Sequence, residues 1–487
     1  MAETNKPSAP VANSIQALVP RGGDGHQFVC YADCCSGVPG APHEATFAAV
    51  NAVVARLSPQ PEFICFPGDE IRGLTADGEV LQSQWRYWLE QEMGWLDRRA
   101  TPLYHATGNH TTYDAASEAV FCEMLAHLPR NGPPDQEGLS YFVRHDDLVL
   151  IFVNTNWSGL GGEGRVETAW LDRTLARHAD ARYKLVLGHH PVYPVNGFAG
   201  VYQREIAPEN GQRFWQVLVR HGVLAYLCSH ILAFDAQVHD GVLQITTAGA
   251  GTAGLMPGGS EYHHCVQMAL DAGGLRYQVL DTAGQIREWL AWPLELPSLT
   301  TWPSLSPGDH PAPVSDDGGK DTTRARLIAW RFSGICPPAR DGEAQTLLSD
   351  WNPGPALAPL WIGLMGREQR LGVLLSPAPG RSPHLWHGPT LPPGEPFTFQ
   401  LAIHTGMGPG GLLWRRDDAA AWSSLAAASP WGAERLIWPE RWSVGQGQRG
   451  PDDRPFRGLD LRASWYAQAL ELEKAGGQQQ GPIERGC

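Results

Sequence analysis

The chain has 487 residues and a mass of 53.1 kDa, which at roughly 150 residues per domain implies two or three domains and excludes one compact core. Lys and Arg number 37 against 51 Asp and Glu, a net charge of −14 without any basic tract, so neither nucleic acid nor an anionic membrane surface is expected as a partner. With 55 Gly, 40 Pro and only 18% charged residues the composition excludes a helical bundle or coiled coil, and 11 of the 19 Trp lie from Trp302 onward, which divides the chain into two textures.

Residues 1–24 lack the apolar core of a secretory signal and are expected to be disordered. No run approaches the roughly 18 apolar residues of a membrane span, so the expectation is a soluble, cytoplasmic protein. The nine cysteines are odd in number and sit largely in apolar runs, which predicts buried thiols in place of a disulfide framework.

From 25 to 290 strand-like and helix-like segments alternate. Strands are predicted at His26–Ala32, Glu62–Pro67, Pro102–Thr107, Leu148–Asn154, Tyr183–Leu187, Val223–Cys228 and Val242–Thr247. Helices are predicted at His43–Leu57, Glu79–Met93, Ala115–His127, Glu167–His178 and Gly211–His221. This alternation predicts an α/β domain with helices over buried strands, whose ligands collect at the carboxyl ends of the strands. Residues 291–322, with six prolines between Trp292 and Lys320, predict a linker. From 323 to 474 short apolar runs at Arg326–Phe332, Leu360–Leu364, Arg370–Leu375, Phe397–Ile403 and Leu436–Trp438 predict an all-β sandwich, with one helix expected at Arg462–Lys474. Residues 475–487, rich in Gly and Gln, predict a disordered tail.

The residues following the strands carry the chemistry. The first run ends in Asp33-Cys34-Cys35, the second in Gly68-Asp69, the third in Gly108-Asn109-His110, later ones in Gly188-His189-His190-Pro191 and Ser229-His230. Five strand ends in succession thus offer Asp, Asn or His, the ligands of a hard or borderline divalent metal. In order and spacing they resemble the metal box of the calcineurin-like metallophosphoesterases, in the purple-acid-phosphatase-like branch, over about residues 25–290. The resemblance implies a four-layer α/β/β/α sandwich and one or two divalent ions, of iron, zinc or manganese. In a two-metal site the ions lie about 3.5 Å apart and activate water for attack on a phosphoester.

Carried over by motif, Asp69, Asn109, His189 and His230 match one metal site in full. The other retains Asp33 and the shared Asp69, with Cys35 and Leu232 where the family has His, and Arg72 where it has Tyr. Three readings stay open. Cys35 could ligate a softer ion as thiolate, or Asp235 or His239 could replace the lost ligand. Alternatively the enzyme uses one metal, with Arg72 supplying positive charge and Asp33 accepting the proton of the attacking water. In the third reading the domain is a degenerate scaffold that binds one metal or a phosphate group without turnover. By the same resemblance His110 would protonate the leaving oxygen, while His190 reads equally as a wall residue. The implied substrate is a phosphorylated small molecule or glycoconjugate.

Gly249 to Gly254 fits the GxGxxG string, but Pro257 and two glycines follow where the helix should open, so a turn beside the metal cleft is the expectation rather than a nucleotide site. The second domain resembles concanavalin or laminin-G jelly rolls through Arg326–Phe332, Pro396–Gly406 and Arg454–Gly458. Trp386, Trp414, Trp422, Trp431 and Trp438 could form a glycan platform there, although packing is the expected role of most of them.

Overall fold

The computed structural model describes residues 14–198, 205–252, 262–306, 322–338, 342–350, 360–376, 383–417, 420–429, 442–450 and 452–472. Its first unit contains β1 (Ile15–Gln16), β2 (His26–Cys30), α1 (Glu44–Ala55), β3 (Leu57–Ser58), β4 (Phe63–Phe66), α2 (Gly78–Tyr87), β5 (Leu103–His105), α3 (Ala115–Met124), β6 (Tyr141–His145) and β7 (Leu148–Phe152). It continues with α4 (Thr168–Arg177), β8 (Tyr183–Leu187), α5 (Pro208–Arg220), β9 (Ala225–Cys228), β10 (Phe234–His239), β11 (Val242–Thr247), β12 (His264–Asp271), β13 (Gly274–Asp281) and β14 (Ile286–Trp292). Two six-stranded mixed sheets result, one ordered β14-β13-β12-β2-β4-β5 and the other β10-β11-β9-β8-β7-β6.

The layer order follows from the two faces of β7. Leu148, Leu150 and Phe152 point into the core shared with the β2 sheet, whereas Val149, Ile151 and Val153 pack with Trp170 and Leu171 of α4 and Phe214 and Leu218 of α5. On the far side of the β2 sheet, Phe47, Val50 and Val54 of α1 and Leu81 and Trp85 of α2 join the same core. Helices therefore pack against both mixed sheets of this α/β unit. Local chemistry starts these helices where they begin: Asp77 accepts the Glu79 and Val80 amides ahead of α2, and Asp114 forms a capping box with Ser117 ahead of α3.

Order begins earlier than the expected boundary at residue 25. Ile15–Gln16 pairs with Leu57–Ser58, Ala17 and Leu18 are fully buried, and the Leu18 amide donates to Gln267 Oε1 at 2.7 Å. The strands β12 to β14 were hidden in the sequence because Gln267, Asp271, Arg276 and Gln278 lie buried within them. Those side chains pair with one another, Gln278 Nε2 donating to Gln267 Oε1 at 3.0 Å and Arg276 joining Asp271 at 2.8 Å.

The second unit is a β-sandwich of antiparallel strands. One sheet contains β15 (Ser304–Leu305), β26 (Leu459–Glu471), β16 (Arg324–Ile335), β21 (Pro396–His404), β22 (Leu412–Arg415) and β23 (Ser423–Ser424) in that order. The other contains β24 (Ala426–Ala427), β20 (His384–Thr390), β19 (Arg370–Leu375), β18 (Leu360–Met365), β17 (Gln345–Asp350) and β25 (Trp442–Val444). The helix expected at Arg462–Lys474 is instead β26, paired with β16 from Arg324↔Glu471 to Ile335↔Leu459. Apolar side chains lie on both faces of β26: Leu461, Ala463, Trp465 and Ala467 turn to the sandwich core, while Tyr466 and Leu470, among polar neighbours on the other face, turn to the first unit. That two-sided pattern imitates a helical stripe in one dimension. The expected strand Leu436–Trp438 and the tail 475–487 lie outside the described residues.

The two units are joined by buried surface and by hydrogen bonds. The Trp289 amide donates to Gly406 O at 2.8 Å, the Gly408 amide to Glu288 Oε2 at 2.7 Å, and Asn196 bridges Leu425 O at 3.0 Å and the Ala427 amide at 2.8 Å. Gly410 lies so close to the Ala236 carbonyl that a Cβ would overlap the oxygen. Trp386 is fully buried in the sandwich and Trp422 is buried against the first unit, so these two serve packing; Trp431 and Trp438 lie outside the described residues. The eight described cysteines are free thiols. Among the described residues no helix is long and apolar enough to cross a membrane.

Candidate metal centre

The carboxyl ends of β2, β4, β5, β8 and β9 meet at one edge of the stacked sheets, and the loops there are held in unusual backbone geometry. Asp33, Cys35, Asp69 and His230 all have positive φ, at 60°, 42°, 57° and 69°. Such a conformation costs a non-glycine residue on the order of 1–3 kcal/mol and persists only where surrounding bonds impose it. Here the Asp33 amide donates to Gly68 O, the Cys35 amide to Asp69 O, and the His230 amide to Asp33 Oδ2 at 3.2 Å. The loop of Gly249 and Gly251 packs behind Asp33, where Thr252 donates its amide to the Asp33 carbonyl at 3.0 Å and its hydroxyl at 2.6 Å.

The four residues matched to the complete site converge. His189 Nε2 lies 3.2 Å from Asp69 Oδ2, 3.0 Å from Asn109 Oδ1 and 3.0 Å from His230 Nδ1. On the opposite side of the ring, His189 Nδ1 lies 2.9 Å from Pro67 O and 2.8 Å from Ser229 Oγ. The carbonyl can only accept, so Nδ1 carries a proton, and Nε2 is the ring atom that faces the cluster. Asp69 Oδ2, Asn109 Oδ1 and His230 Nδ1 thus each lie 3.0–3.2 Å from Nε2, so positive charge is required among them, supplied by the Nε2 proton or by a cation that takes its place. Donors about 2.0–2.2 Å from a common ion lie roughly 3.3 Å apart when tetrahedral, so this set fits a divalent metal.

The electrostatics follow the same geometry. Burial alone would lower His189, but the facing Asp69 carboxylate outweighs it and raises the imidazole to about 9. Burial would raise Asp69, and the imidazole reverses that, holding the carboxyl below its ordinary range. Asp33, 2% exposed, goes the other way: burial outweighs the opposing pull of His189, Asp69 adds repulsion, and the carboxyl is held well above its usual value. Burial likewise pushes the Cys35 thiol up, so a cation there must displace its proton.

On the side matched to the incomplete site, Cys35, Asp69 and His110 bring ligand atoms within 4.8 Å of one another. His110 Nδ1 donates to the Arg72 carbonyl at 2.8 Å, which leaves Nε2 as the ring nitrogen open to a ligand, and the His110 amide donates to Asp69 Oδ1 at 2.8 Å. Arg72 is exposed and has no ion pair among the described residues; its carbonyl orients His110. Leu232 is half-buried and contributes no ligand atom. Neither suggested replacement reaches the site: Asp235 accepts from Gln237 Nε2 at 2.6 Å and from the Asn196 amide at 3.3 Å, and His239 stacks on Tyr193 at 3.5 Å between ring centres.

Asp235 permits a clean pH test. Burial raises its carboxyl to about 6, against about 3.9 in an unfolded chain. The folded state therefore binds the extra proton, and the associated stability is complete below about pH 4 and lost as pH rises through about 6. Asp235→Asn is expected to match the parent at pH 4 and exceed it by on the order of 2–3 kcal/mol at pH 8, read by urea unfolding at both values.

Glu163 and Thr155 had no sequence signal as site residues. Glu163 lies in the loop Gly161-Gly162-Glu163-Gly164, and Thr155 follows β7; both are brought beside His190 by the fold, with Thr155 Oγ1 2.7 Å from His190 Nδ1.

No family model matches the chain, and no curated protein matches it. Among solved structures it is similar to a purple acid phosphatase from yellow lupin (Lupinus luteus) seeds, at 14% identity over 57% of this chain and 53% of the lupin chain, with a TM-score of 0.41. It is also similar to a dimetal phosphatase from Danio rerio, at 16% identity over 53% of this chain and 97% of that one, with a TM-score of 0.41. A third is a Plasmodium protein described as the anchor in the inner membrane complex, at 14% identity over 55% and 88% of the two chains, with a TM-score of 0.38. The chain spans about half the length of the lupin protein.

Proposed function

We propose that the chain is a metal-dependent hydrolase of phosphoric esters. The observation that carries this reading is the convergence of Asp69, Asn109, His189 and His230 on one point at the carboxyl edge of the sheets. A divalent ion held there would polarise a phosphoryl oxygen and make a nucleophile of water at neutral pH. The remaining work falls to the protein. Asp33, raised by burial and fixed by the His230 amide, can hold the proton withdrawn from the attacking water on its carboxylate. His110, with Nδ1 anchored on Arg72 O, presents Nε2 for donating a proton to the leaving oxygen. The exposed Arg72 guanidinium is placed to attract the phosphoryl group locally, which a chain of net charge −14 requires.

The substrate class in this proposal is a phosphorylated small molecule or glycoconjugate. With Leu232 offering no donor atom where the resemblance has His, and burial favouring the protonated Cys35 thiol, a single ion at the Asp69 centre is favoured over an ion pair bridged on the Asp33 side. Asn109 contributes a ligand atom and little packing, so Asn109→Ala is the direct test. Hydrolysis of aryl phosphate mono- and diesters, assayed with zinc, manganese and iron, is expected to fall by about 10²–10³-fold in this variant together with metal content. Unchanged hydrolysis would place the chemistry elsewhere.

A further inference from the structure

His230 faces two groups of ligands with two different nitrogens. Nδ1 lies 3.0 Å from His189 Nε2 in the Asp69 centre, while Nε2 lies 3.7 Å from Glu163 Oε1. His190 Nε2 lies 3.4 Å from the same carboxylate oxygen, and the ligand atoms of Glu163, His190 and His230 all fall within 4.8 Å of one another. These separations approach the roughly 3.3–3.5 Å expected between donors on one ion at 2.0–2.2 Å. The rings of His190 and His230 are 4.4 Å apart between centres.

Thr155 organises this second group from behind. Its hydroxyl lies 2.7 Å from His190 Nδ1, which leaves Nε2 as the ring atom facing Glu163. Its carbonyl accepts the Gly164 amide at 2.8 Å and the Arg165 amide at 3.2 Å, fixing the loop that carries Glu163. Gly161, Gly162 and Gly164 all have positive φ, between 78° and 96°, so the tight turn that brings Glu163 back over His190 is built on residues without a Cβ. Tyr226 donates its hydroxyl to the His190 carbonyl at 2.6 Å and fixes the other end.

We propose that Glu163, His190 and His230 form a second cation site, on the opposite side of His230 from the Asp69 centre, with His230 as the bridging ligand. Two imidazoles and a carboxylate are the donor set of an open zinc site, with the fourth position facing the solvent at Glu163, whose side chain is 34% exposed. A histidine bridge holds two ions farther apart than the roughly 3.5–4 Å of ions sharing one oxygen. With both nitrogens engaged, the ring gives up its remaining proton to solvent. The proposal rests on the metal-binding reading of the Asp69 centre only through the shared His230.

Zinc binding to the full chain, stripped with chelator and reloaded, tests it by metal per chain and by titration, with cobalt substitution for the visible spectrum. The parent is expected to take two ions, and Glu163→Ala, a change on an exposed loop that the fold tolerates, to take one. Affinity for the lost ion should fall at least about tenfold, and its cobalt bands should vanish while those of the Asp69 centre remain. His190→Gln should remove the same ion, and Asn109→Ala the other. A parent that takes one zinc, or a Glu163→Ala variant that still takes two with unchanged affinities, overturns the second site. Retention of both ions by Asn109→Ala would instead overturn the assignment of the Asp69 centre.

Discussion

Asp69→Asn is expected to empty the centre and to reduce phosphoester hydrolysis by on the order of 10³-fold. Asp69 is shared between two groups of ligands: Oδ1 accepts the His110 amide at 2.8 Å, Oδ2 lies 3.2 Å from His189 Nε2, and the residue belongs to the trios with Cys35 and His110 and with His189 and His230. The amide preserves shape and one accepting oxygen but removes the only carboxylate of the four-ligand set. The metal-free protein should lose some stability as well, because the substitution takes from the buried His189 imidazole the carboxylate that pairs with it at 3.2 Å, a loss offset only in part by relief of the repulsion between Asp69 and Asp33. The measurement pairs metal content with hydrolysis rate and the thermal midpoint of metal-free protein. A metal-free midpoint at or below the assay temperature would indicate misfolding, and full metal content would overturn the ligand assignment.

How far the site could be foreseen depends on the kind of residue. The candidate residues Asp33, Asp69, His189 and His230 could be picked out because each follows a largely buried strand whose apolar run ends abruptly where the chain leaves the sheet, whereas Asn109 and His110 follow the short edge strand Leu103–His105 and were marked by the Gly-Asn-His string alone. Glu163 was not, because it stands in a glycine loop between elements, and only the turn of that loop brings it to His190. The positive φ of Asp33, Cys35, Asp69 and His230 has no sequence signature, since Asp and His adopt that region only in a small minority of positions and Cys more rarely still. The same division holds for the fold. Strands such as Tyr183–Leu187 and Val242–Thr247 agree with the apolar pattern to the residue. The buried polar ladder of Gln267 and Gln278 and the two-faced Leu459–Glu471 strand obey pairing that only the partner strands reveal.

The glycines of the motifs carry the second large expected effect, because they have no ligand atom to lose. At Gly108 a Cβ would overlap Asp69 Oδ1 and sit 2.6 Å from the Asp69 amide nitrogen. The Asp69 carboxylate is pinned between the His110 amide and His189, and its backbone is already at φ 57°, so it has no room to give way. Gly108→Ala must therefore push Asp69 out of line with His189 or break the amide bond to His110. A displacement near 1 Å at a metal ligand is enough for about 10²-fold in rate. We expect Gly108→Ala to bind metal and hydrolyse esters about 10²-fold less well, and to unfold about 1–3 kcal/mol more easily. Gly68→Ala provides the companion measurement, since φ 99° at that position disfavours a side chain and a Cβ would lie 2.7 Å from His189 Nδ1. Its predicted signature is a weaker metal centre through a displaced imidazole while the Asp69 to His110 bond is kept, visible as a cobalt spectrum shifted from that of the parent. If either alanine variant retained parental metal affinity, close backbone approach would not be what these two glycines supply, and the convergence of ligands on His189 would need another cause.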